Sequence, residues 1–164
     1  MTQPLRLRQL LEQLVAAEIR FVLVGGLAVN AWGYIRATRD VDIVPDSSPD
    51  NLERLDTLLT GLGGRVDVDG RLLDSNAISP FLRTGDRTLV VTDFGRVDVL
   101  QGLPQVPSFA DLDATATDVD MDGLAVRVCS LDHLLEMKRA SERPRDRDDL
   151  EALEGARGAD DSSG

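Results

Sequence analysis

The sequence predicts an α/β fold (α+β), built as a small mixed, twisted β-sheet that is flanked by helices and followed by a C-terminal helical pair. Three observations support this prediction. Leucines recur at helical spacing, short β-branched runs alternate with those segments, and Gly or Pro residues separate the two. The chain has 164 residues, 42% of them hydrophobic, so we expect one domain over residues 1–155 and a mobile tail over 156–164.

The N-terminal part is predicted to alternate helices and strands. Leucines three and four positions apart predict an amphipathic helix over about residues 4–18. The apolar run 21–24 reads as a buried strand, and a second helix begins at the glycine pair after it. Residues 40–44 form the next strand. The segment 47–64 starts with Ser-Ser-Pro and ends in glycines, which is typical of a third helix with both boundary signals.

The middle of the chain carries further strand signals. Residues 65–68 (RVDV) form a strand, and residues 88–100 contain two β-branched runs on either side of a Gly-containing turn, which indicates a hairpin. The polar stretch 69–87 receives no assignment.

The C-terminal part is predicted to contain one more strand and two helices. Residues 101–124 are expected to be loop with one helical turn, and residues 125–130 (AVRVCS) form the last strand. Two helices follow over about 130–142 and 146–155, separated by Pro144, which cannot continue a helix interior.

Composition excludes several classes of protein. No stretch approaches the roughly 18 consecutive apolar residues of a membrane span, and the start of the chain lacks an apolar signal-peptide core. We therefore expect a cytoplasmic protein with no membrane partner. Cys129 is the single cysteine, which excludes an internal disulfide or a cysteine zinc site, and we expect it to be buried. The net charge of −11 argues against non-specific electrostatic binding of the protein to nucleic-acid phosphates.

Two acidic residues stand where a buried strand normally carries Val or Ile. Alternate side chains of a strand share a face, so Asp40 and Asp42 point one way while Val41 and Ile43 point the other. Like charges at this spacing repel unless a cation or a proton lies between them. Carboxylate oxygens are ligands that Mg²⁺ prefers, so a metal site is one interpretation. A solvated outer strand face is the alternative.

Two further features favour the metal interpretation. Gly25 and Gly26 directly follow a strand and start a helix, where backbone N–H groups and the helix dipole favour an anion such as phosphate. Asp98 interrupts an otherwise β-branched strand. If that strand pairs beside residues 40–44, a third carboxylate reaches the same surface. A phosphate site next to metal-binding carboxylates predicts phosphoryl chemistry.

At these residues the chain resembles the nucleotidyltransferase superfamily of the DNA polymerase beta type. The family pattern is a hydrophobic residue with Gly and then Gly or Ser, a short spacer, and Asp-hydrophobic-Asp or Glu. The sequence shows VGG at 24–26, a spacer at 27–39 and DVD at 40–42.

This resemblance implies a nucleotidyltransferase fold and a set of roles. Asp40 and Asp42 would bind Mg²⁺, with Asp98 as the third ligand of a two-metal site, and Gly25 and Gly26 would hold phosphate. The reaction it implies is transfer of a nucleoside monophosphate from an NTP substrate to an acceptor, with release of pyrophosphate.

The C-terminal segment extends the resemblance over about residues 7–153. Residues 130–153 resemble the ending of small bacterial nucleotidyltransferases, including the toxins of toxin–antitoxin and abortive-infection systems, in which a helical Lys precedes an Arg, an Asp and an Asp-Leu pair. For this group the resemblance implies RNA as the acceptor, with the tRNA 3′ end as the natural target, and a cognate antitoxin as a possible protein partner.

Lys138 is the only lysine in the chain and occupies a core-facing helical position, seven residues after Leu131. Burial of an ammonium is costly unless anions compensate, so we expect Lys138 to enter the cleft and contact triphosphate oxygens. The alternative is a lysine whose aliphatic stem packs on the apolar surface while its ammonium reaches solvent. Asp146 could orient Lys138 or the nucleotide, or simply cap the last helix. Thr38 and Arg39 are further candidates for nucleotide contacts.

Three functions follow from these observations: nucleotidyl transfer to RNA, the same chemistry on a small molecule such as an aminoglycoside or on a protein, and a catalytically silent fold that acts by binding. RNA would need a local basic patch, and nearby aspartates could neutralise it. The candidate arginines of that patch are Arg36, Arg139, Arg143, Arg145 and Arg147.

Overall fold

Eight strands form one mixed sheet in the computed structural model, which describes residues 3–35, 37–141 and 143–161. In chain order the strands are β1 (Phe21–Val24), β2 (Asp40–Pro45), β3 (Arg65–Val68), β4 (Arg71–Leu73), β5 (Asp86–Thr92), β6 (Gly95–Gln101), β7 (Thr117–Met121) and β8 (Leu124–Val128). Across the sheet their order is β4-β3-β5-β6-β2-β1-β8-β7. The mixed α/β architecture is confirmed, and the sheet is larger than the small one predicted.

Seven α-helices lie in the described part of the chain. They are α1 (Gln3–Ala16), α2 (Gly25–Ala31), α3 (Pro49–Gly61), α4 (Ile78–Thr84), α5 (Phe109–Thr115), α6 (Leu131–Arg139) and α7 (Pro144–Asp161). None of these helices combines the length and the apolar character needed to cross a bilayer.

The pairing of the central strands β1, β2 and β6 positions the candidate site. β2 and β6 pair in parallel, with Asp42 opposite Asp98. β1 runs antiparallel on the other side of β2 and places Val24 opposite Asp42. β6 therefore lies beside β2, as the prediction of a third carboxylate on this surface required.

The opposite face of the two central strands is apolar and buried. Val41, Ile43, Val97 and Val99 are all fully buried, and α1 packs against both β2 and β6. Each such side chain contributes roughly 1.5–3 kcal/mol on removal from water. This face fixes the strands, and the alternation of a strand then directs the aspartates to the other face.

Two stretches contain structure that the sequence did not predict. The unassigned stretch 69–87 holds β4, a 3₁₀ turn at Ser75–Ala77 and α4. The predicted loop 101–124 holds α5 and β7. The last helix continues to Asp161 instead of ending near residue 155, and residues 162–164 of the predicted tail lie outside the described residues.

Candidate active site

Three carboxylates share one face at the centre of the sheet. Asp42 of β2 and Asp98 of β6 are direct neighbours in the strand register, and Asp40 lies two residues before Asp42 on the same side. Asp98 is buried, while Asp40 and Asp42 are partly buried. The structure thus brings together the three acids that the sequence singled out.

The electrostatics of this group centre on Asp42. Burial raises the pKa of the Asp42 carboxyl from 3.8 to about 7, and repulsion from Asp98 and Asp40 adds to the shift. The positive charges of Lys138 and Arg87 act in the opposite direction but are smaller effects. A cation bound beside these three carboxylates would favour the ionised form of Asp42 and offset the repulsion among the three.

Gly25 makes room for the Asp42 side chain. Its φ angle of 69° lies in the left-handed region, which L-residues other than glycine adopt at a cost. A Cβ on Gly25 would lie 2.7 Å from Cγ of Asp42 and closer still to Oδ2. The glycine at the start of α2 is therefore required by the backbone and by the close approach of Asp42.

Gly25→Ala is expected to destabilise the protein and displace Asp42. The left-handed backbone alone costs about 1–2 kcal/mol, and the clash adds to it. Urea unfolding measures the first effect, and an NMR titration of the Asp42 carboxyl measures the second. Gly155→Ala is the matched control, because Gly155 lies within α7 with open space at its Cβ position and should gain about 1 kcal/mol. Equal stability changes in the two variants would contradict this account.

The helical pair α6 and α7 supplies the basic side of the site. The ammonium of Lys138 is buried, 2.6 Å from Oδ1 of Asp146 and 3.1 Å from Oδ2 of Asp149. Both carboxylates are fully buried. Asp146 contacts the Lys138 ammonium directly, and its role in orienting Lys138, one of those that the sequence left open, stays a prediction. Asp149 was not predicted, although its spacing of three from Asp146 on a helix places both acids on one face.

Asp146 connects the two helices through several donors. It accepts hydrogen bonds from Lys138, from the Ser141 hydroxyl and from the Arg143 guanidinium. Burial alone would raise the pKa of this carboxyl, but these hydrogen bonds and the charges of Lys138 and Arg143 outweigh it and lower the pKa to about 2. Asp146 therefore stays ionised and keeps the Lys138 ammonium in place.

A cleft of about 340 Å³ joins the carboxylates to the lysine. The predicted site residues that line it are Gly25, Asp40, Asp42, Asp98, Lys138 and Asp146.

Three other candidates do not line this cleft. Gly26 is buried in α2, the Thr38 hydroxyl lies 3.4 Å from the Asp40 carbonyl oxygen to which it donates, and Arg39 is exposed. Their roles as phosphate or nucleotide contacts stay predictions.

Arg87 is a cleft residue that sequence reasoning missed. Its Nε lies 2.9 and 2.8 Å from the two carboxylate oxygens of Asp98, and its Nη2 lies 2.6 Å from Oδ2. In the hairpin β5–β6, Leu89 is opposite Asp98 and Arg87 is opposite Leu100. Arg87 is thus a diagonal cross-strand neighbour of Asp98, a contact that follows from the hairpin register once that register is known.

The donor set fits a divalent ion. Oδ1 of Asp40 is buried and accepts no hydrogen bond within the described residues, and the nearest guanidinium nitrogen, Nε of Arg96, is 3.7 Å away. Among those residues, no three His, Cys, Asp or Glu side chains converge closely enough to hold an ion as they stand. Asp40 and Asp42 offer the hard oxygen ligands that Mg²⁺ takes. Asp98 can join them once one of its oxygens leaves Arg87.

A mixed sheet that presents this carboxylate row beside a glycine turn, opposite a buried lysine, defines a nucleotidyltransferase. The chain belongs to the family described as nucleotidyl transferase of unknown function (DUF2204), whose model matches residues 4–161. It is therefore an enzyme of the nucleotidyltransferase class. A search of curated proteins found no match.

Solved structures with the same fold are similar along nearly the whole chain. A lincomycin-bound lincosamide antibiotic adenylyltransferase, LnuA, has 15% identity and a TM-score of 0.67 over 92% of this chain and 96% of that one. ANT(2")-Ia in complex with adenylyl-2"-tobramycin has 17% identity and a TM-score of 0.60 over 99% of both chains. An antigenic nucleotidyltransferase-like protein from Paracoccidioides brasiliensis has 19% identity and a TM-score of 0.57, over 88% of this chain and 71% of that one.

Proposed function

We propose that the chain is a divalent-metal-dependent enzyme that transfers a nucleoside monophosphate from an NTP to an acceptor hydroxyl and releases pyrophosphate. One observation carries this proposal. Asp42 and Asp98 are paired in register, Asp40 adjoins them, and the same cleft contains the buried ammonium of Lys138. Metal-binding carboxylates on one side and a cation on the other match the two ends of a magnesium triphosphate.

Each side chain has a role in this mechanism. Asp40 and Asp42 would hold Mg²⁺, which when bound activates the attacking oxygen and neutralises charge on the leaving phosphates. Asp98, lying beside Asp42, would complete the ligand set and accept the proton of the acceptor hydroxyl. An ammonium has three N–H donors. Asp146 accepts from one of them and Asp149 forms an ion pair with the ammonium, so a further N–H can serve a triphosphate oxygen.

RNA is the acceptor that the sequence resemblance implies, with the tRNA 3′ end as the target and an antitoxin protein as the partner. Two of the described arginines of the proposed basic patch already form ion pairs. Arg139 lies 3.0 Å from Glu154, and Arg143 lies 2.7 Å from Asp146. Arg36 and the Arg145 side chain lie outside the described residues. An open reading frame for a small partner beside this gene would support the toxin hypothesis.

A small hydroxyl-bearing molecule is the second candidate acceptor, and the charge of the protein favours it. Four carboxylates and three basic side chains line the cleft, and the chain carries a net charge of −11. This environment attracts a cationic acceptor and repels a phosphate backbone. Two of the similar structures contain such small molecules, lincomycin and an adenylylated tobramycin.

One labelling experiment separates the candidates. Purified protein with Mg²⁺ and each α-labelled NTP is incubated with total tRNA, with tobramycin, with lincomycin, or with none of these. We expect transfer that is abolished by EDTA, and label on RNA supports the toxin function while label on an antibiotic supports the small-molecule function. Label on the protein itself indicates a protein acceptor. An absence of any transfer in all arms would contradict the proposed enzyme and leave a fold that acts by binding.

A further inference from the structure

The guanidinium of Arg87 occupies both carboxylate oxygens of a proposed metal ligand, Asp98. Its Nε lies 2.9 Å from Oδ1 and 2.8 Å from Oδ2, and its Nη2 lies 2.6 Å from Oδ2. Hydrogen bonds between two charged groups are among the strong ones in proteins. A metal ion that takes Asp98 as a ligand must therefore compete with this guanidinium. Arg87 is free to move, since 57% of its side chain is exposed against 8% for Asp98.

The strand register gives Arg87 a second carboxylate neighbour on β3. β3 and β5 pair in antiparallel fashion, and their register, continued by one residue, places Asp67 opposite Leu89. Leu89 is also opposite Asp98 of β6. Arg87 lies two residues before Leu89 and shares its face of the sheet. It is thus a diagonal neighbour of Asp98 on one side and of Asp67 on the other.

The Arg87 side chain has room to turn from one carboxylate to the other. It lines the cleft together with Asp98, and it also lines a neighbouring cavity of about 480 Å³ together with Asp67. Oδ1 of Asp67 accepts the backbone N–H of Gly70, and Oδ2 lies 3.9 Å from Nη2 of Arg96, which is longer than a hydrogen bond. A guanidinium released from Asp98 can therefore find a new partner in Asp67.

We propose that Arg87 is a two-position counterion of the metal site, which holds Asp98 while the site is empty and turns to Asp67 when a divalent ion takes Asp98. This inference rests on the proposed metal-dependent function and adds a residue that sets the metal affinity. The guanidinium and the ion compete for one buried carboxylate, so the ion pair lowers the affinity for free metal. Asp67 offsets part of this effect because it gives the released guanidinium a second partner.

Calorimetric titration of the full chain with Mn²⁺ tests this inference, since Mn²⁺ takes the same oxygen ligands as Mg²⁺. Arg87→Gln removes the competing charge, so it should bind Mn²⁺ about tenfold more tightly than the unmodified protein. Asp67→Asn removes the second partner and should bind Mn²⁺ about threefold more weakly. That weakening should vanish in Arg87→Gln/Asp67→Asn, where no guanidinium has to find a new partner.

Arg127→Gln is the matched control. It removes the same charge from an ion pair with Asp113, and neither residue lines the cleft, so its Mn²⁺ affinity should equal that of the unmodified protein. A crystal structure of the unmodified protein with Mn²⁺ bound gives a direct readout that does not depend on the folding of any variant. In it, the Arg87 guanidinium should lie within hydrogen-bond distance of Asp67.

Equal Mn²⁺ affinities of Arg87→Gln and the unmodified protein would overturn the inference, as would a guanidinium that stays on Asp98 beside the bound ion. A weakening by Asp67→Asn that persists in the Arg87→Gln background would show that Asp67 acts only through its charge, and would overturn its role as the second partner. Failure of Mn²⁺ to bind to either protein would instead remove the proposed metal site itself.

Discussion

Asp42→Asn is expected to abolish nucleotidyl transfer while stabilising the metal-free protein at neutral and higher pH. The substitution keeps the shape of the side chain but removes a charge that the proposed metal site requires. A metal ion contributes several kcal/mol of transition-state stabilisation, so we expect a loss of about 10³-fold or more in transfer rate. The labelled-NTP assay measures this loss.

The stability effect has the opposite sign because burial raises the pKa of Asp42 from 3.8 to about 7. Between these two values the folded protein binds more protons than the unfolded chain, so the free energy of unfolding falls as the pH rises through this window. Asn carries no charge, so the variant avoids the free-energy cost of ionising a buried carboxyl group. Above pH 7 the metal-free variant should therefore be more stable than the unmodified protein, by a difference on the order of 4 kcal/mol.

Urea unfolding at pH 4 and pH 8 in EDTA measures this difference, which should vanish at the lower pH. Asp148→Asn is the control, because it makes the same change of net charge at an exposed position of α7. Retained transfer in Asp42→Asn would remove Asp42 from the mechanism. A stability gain of equal size at both pH values would show that the gain does not come from ionisation of this carboxyl.

The helices and central strands could be predicted because apolar periodicity marks them. The missed strands belong to two hairpins whose turns carry Asp-Gly, at Asp69–Gly70 and Asp122–Gly123. In each pair both residues have positive φ, 51° and 85° in the first and 54° and 91° in the second. Asp-Gly is a strong local hairpin signal. The two missed strands lack the apolar pattern of a buried strand, because β4 has only three residues and β7 (TDVDM) is largely polar, and both lie at the edges of the sheet.

The residues of the site likewise fall into those that the sequence alone could predict and those that it could not. Asp40, Asp42 and Asp98 could be found from alternation, because each interrupts an apolar strand, and Lys138 because it interrupts an apolar helix face. Arg87 could not, because its contact with Asp98 depends on the exact register of a hairpin. The surroundings of Lys138 likewise depend on how two helices pack.

Lys138→Met is expected to lose both transfer and stability. The triphosphate contact that the sequence predicts for Lys138 accounts only for the loss of transfer. In the structure the Lys138 ammonium is shared by the buried carboxylates of Asp146 and Asp149 and connects α6 to α7. Removal of one member of a buried ion pair typically costs about 3–5 kcal/mol, since the remaining charges have been taken out of water.

Two comparison variants separate the structural role of Lys138 from its catalytic role. Arg139→Met breaks the neighbouring exposed ion pair with Glu154 and should cost at most about 1 kcal/mol. Lys138→Met/Asp149→Asn removes one of the two buried charges that the ammonium compensates, so it should recover part of the lost stability in urea unfolding without recovering transfer. A double variant that regains transfer would show that Lys138 only holds the helical pair together. A single variant as stable as Arg139→Met would show that the buried ion pair contributes no more than a surface one.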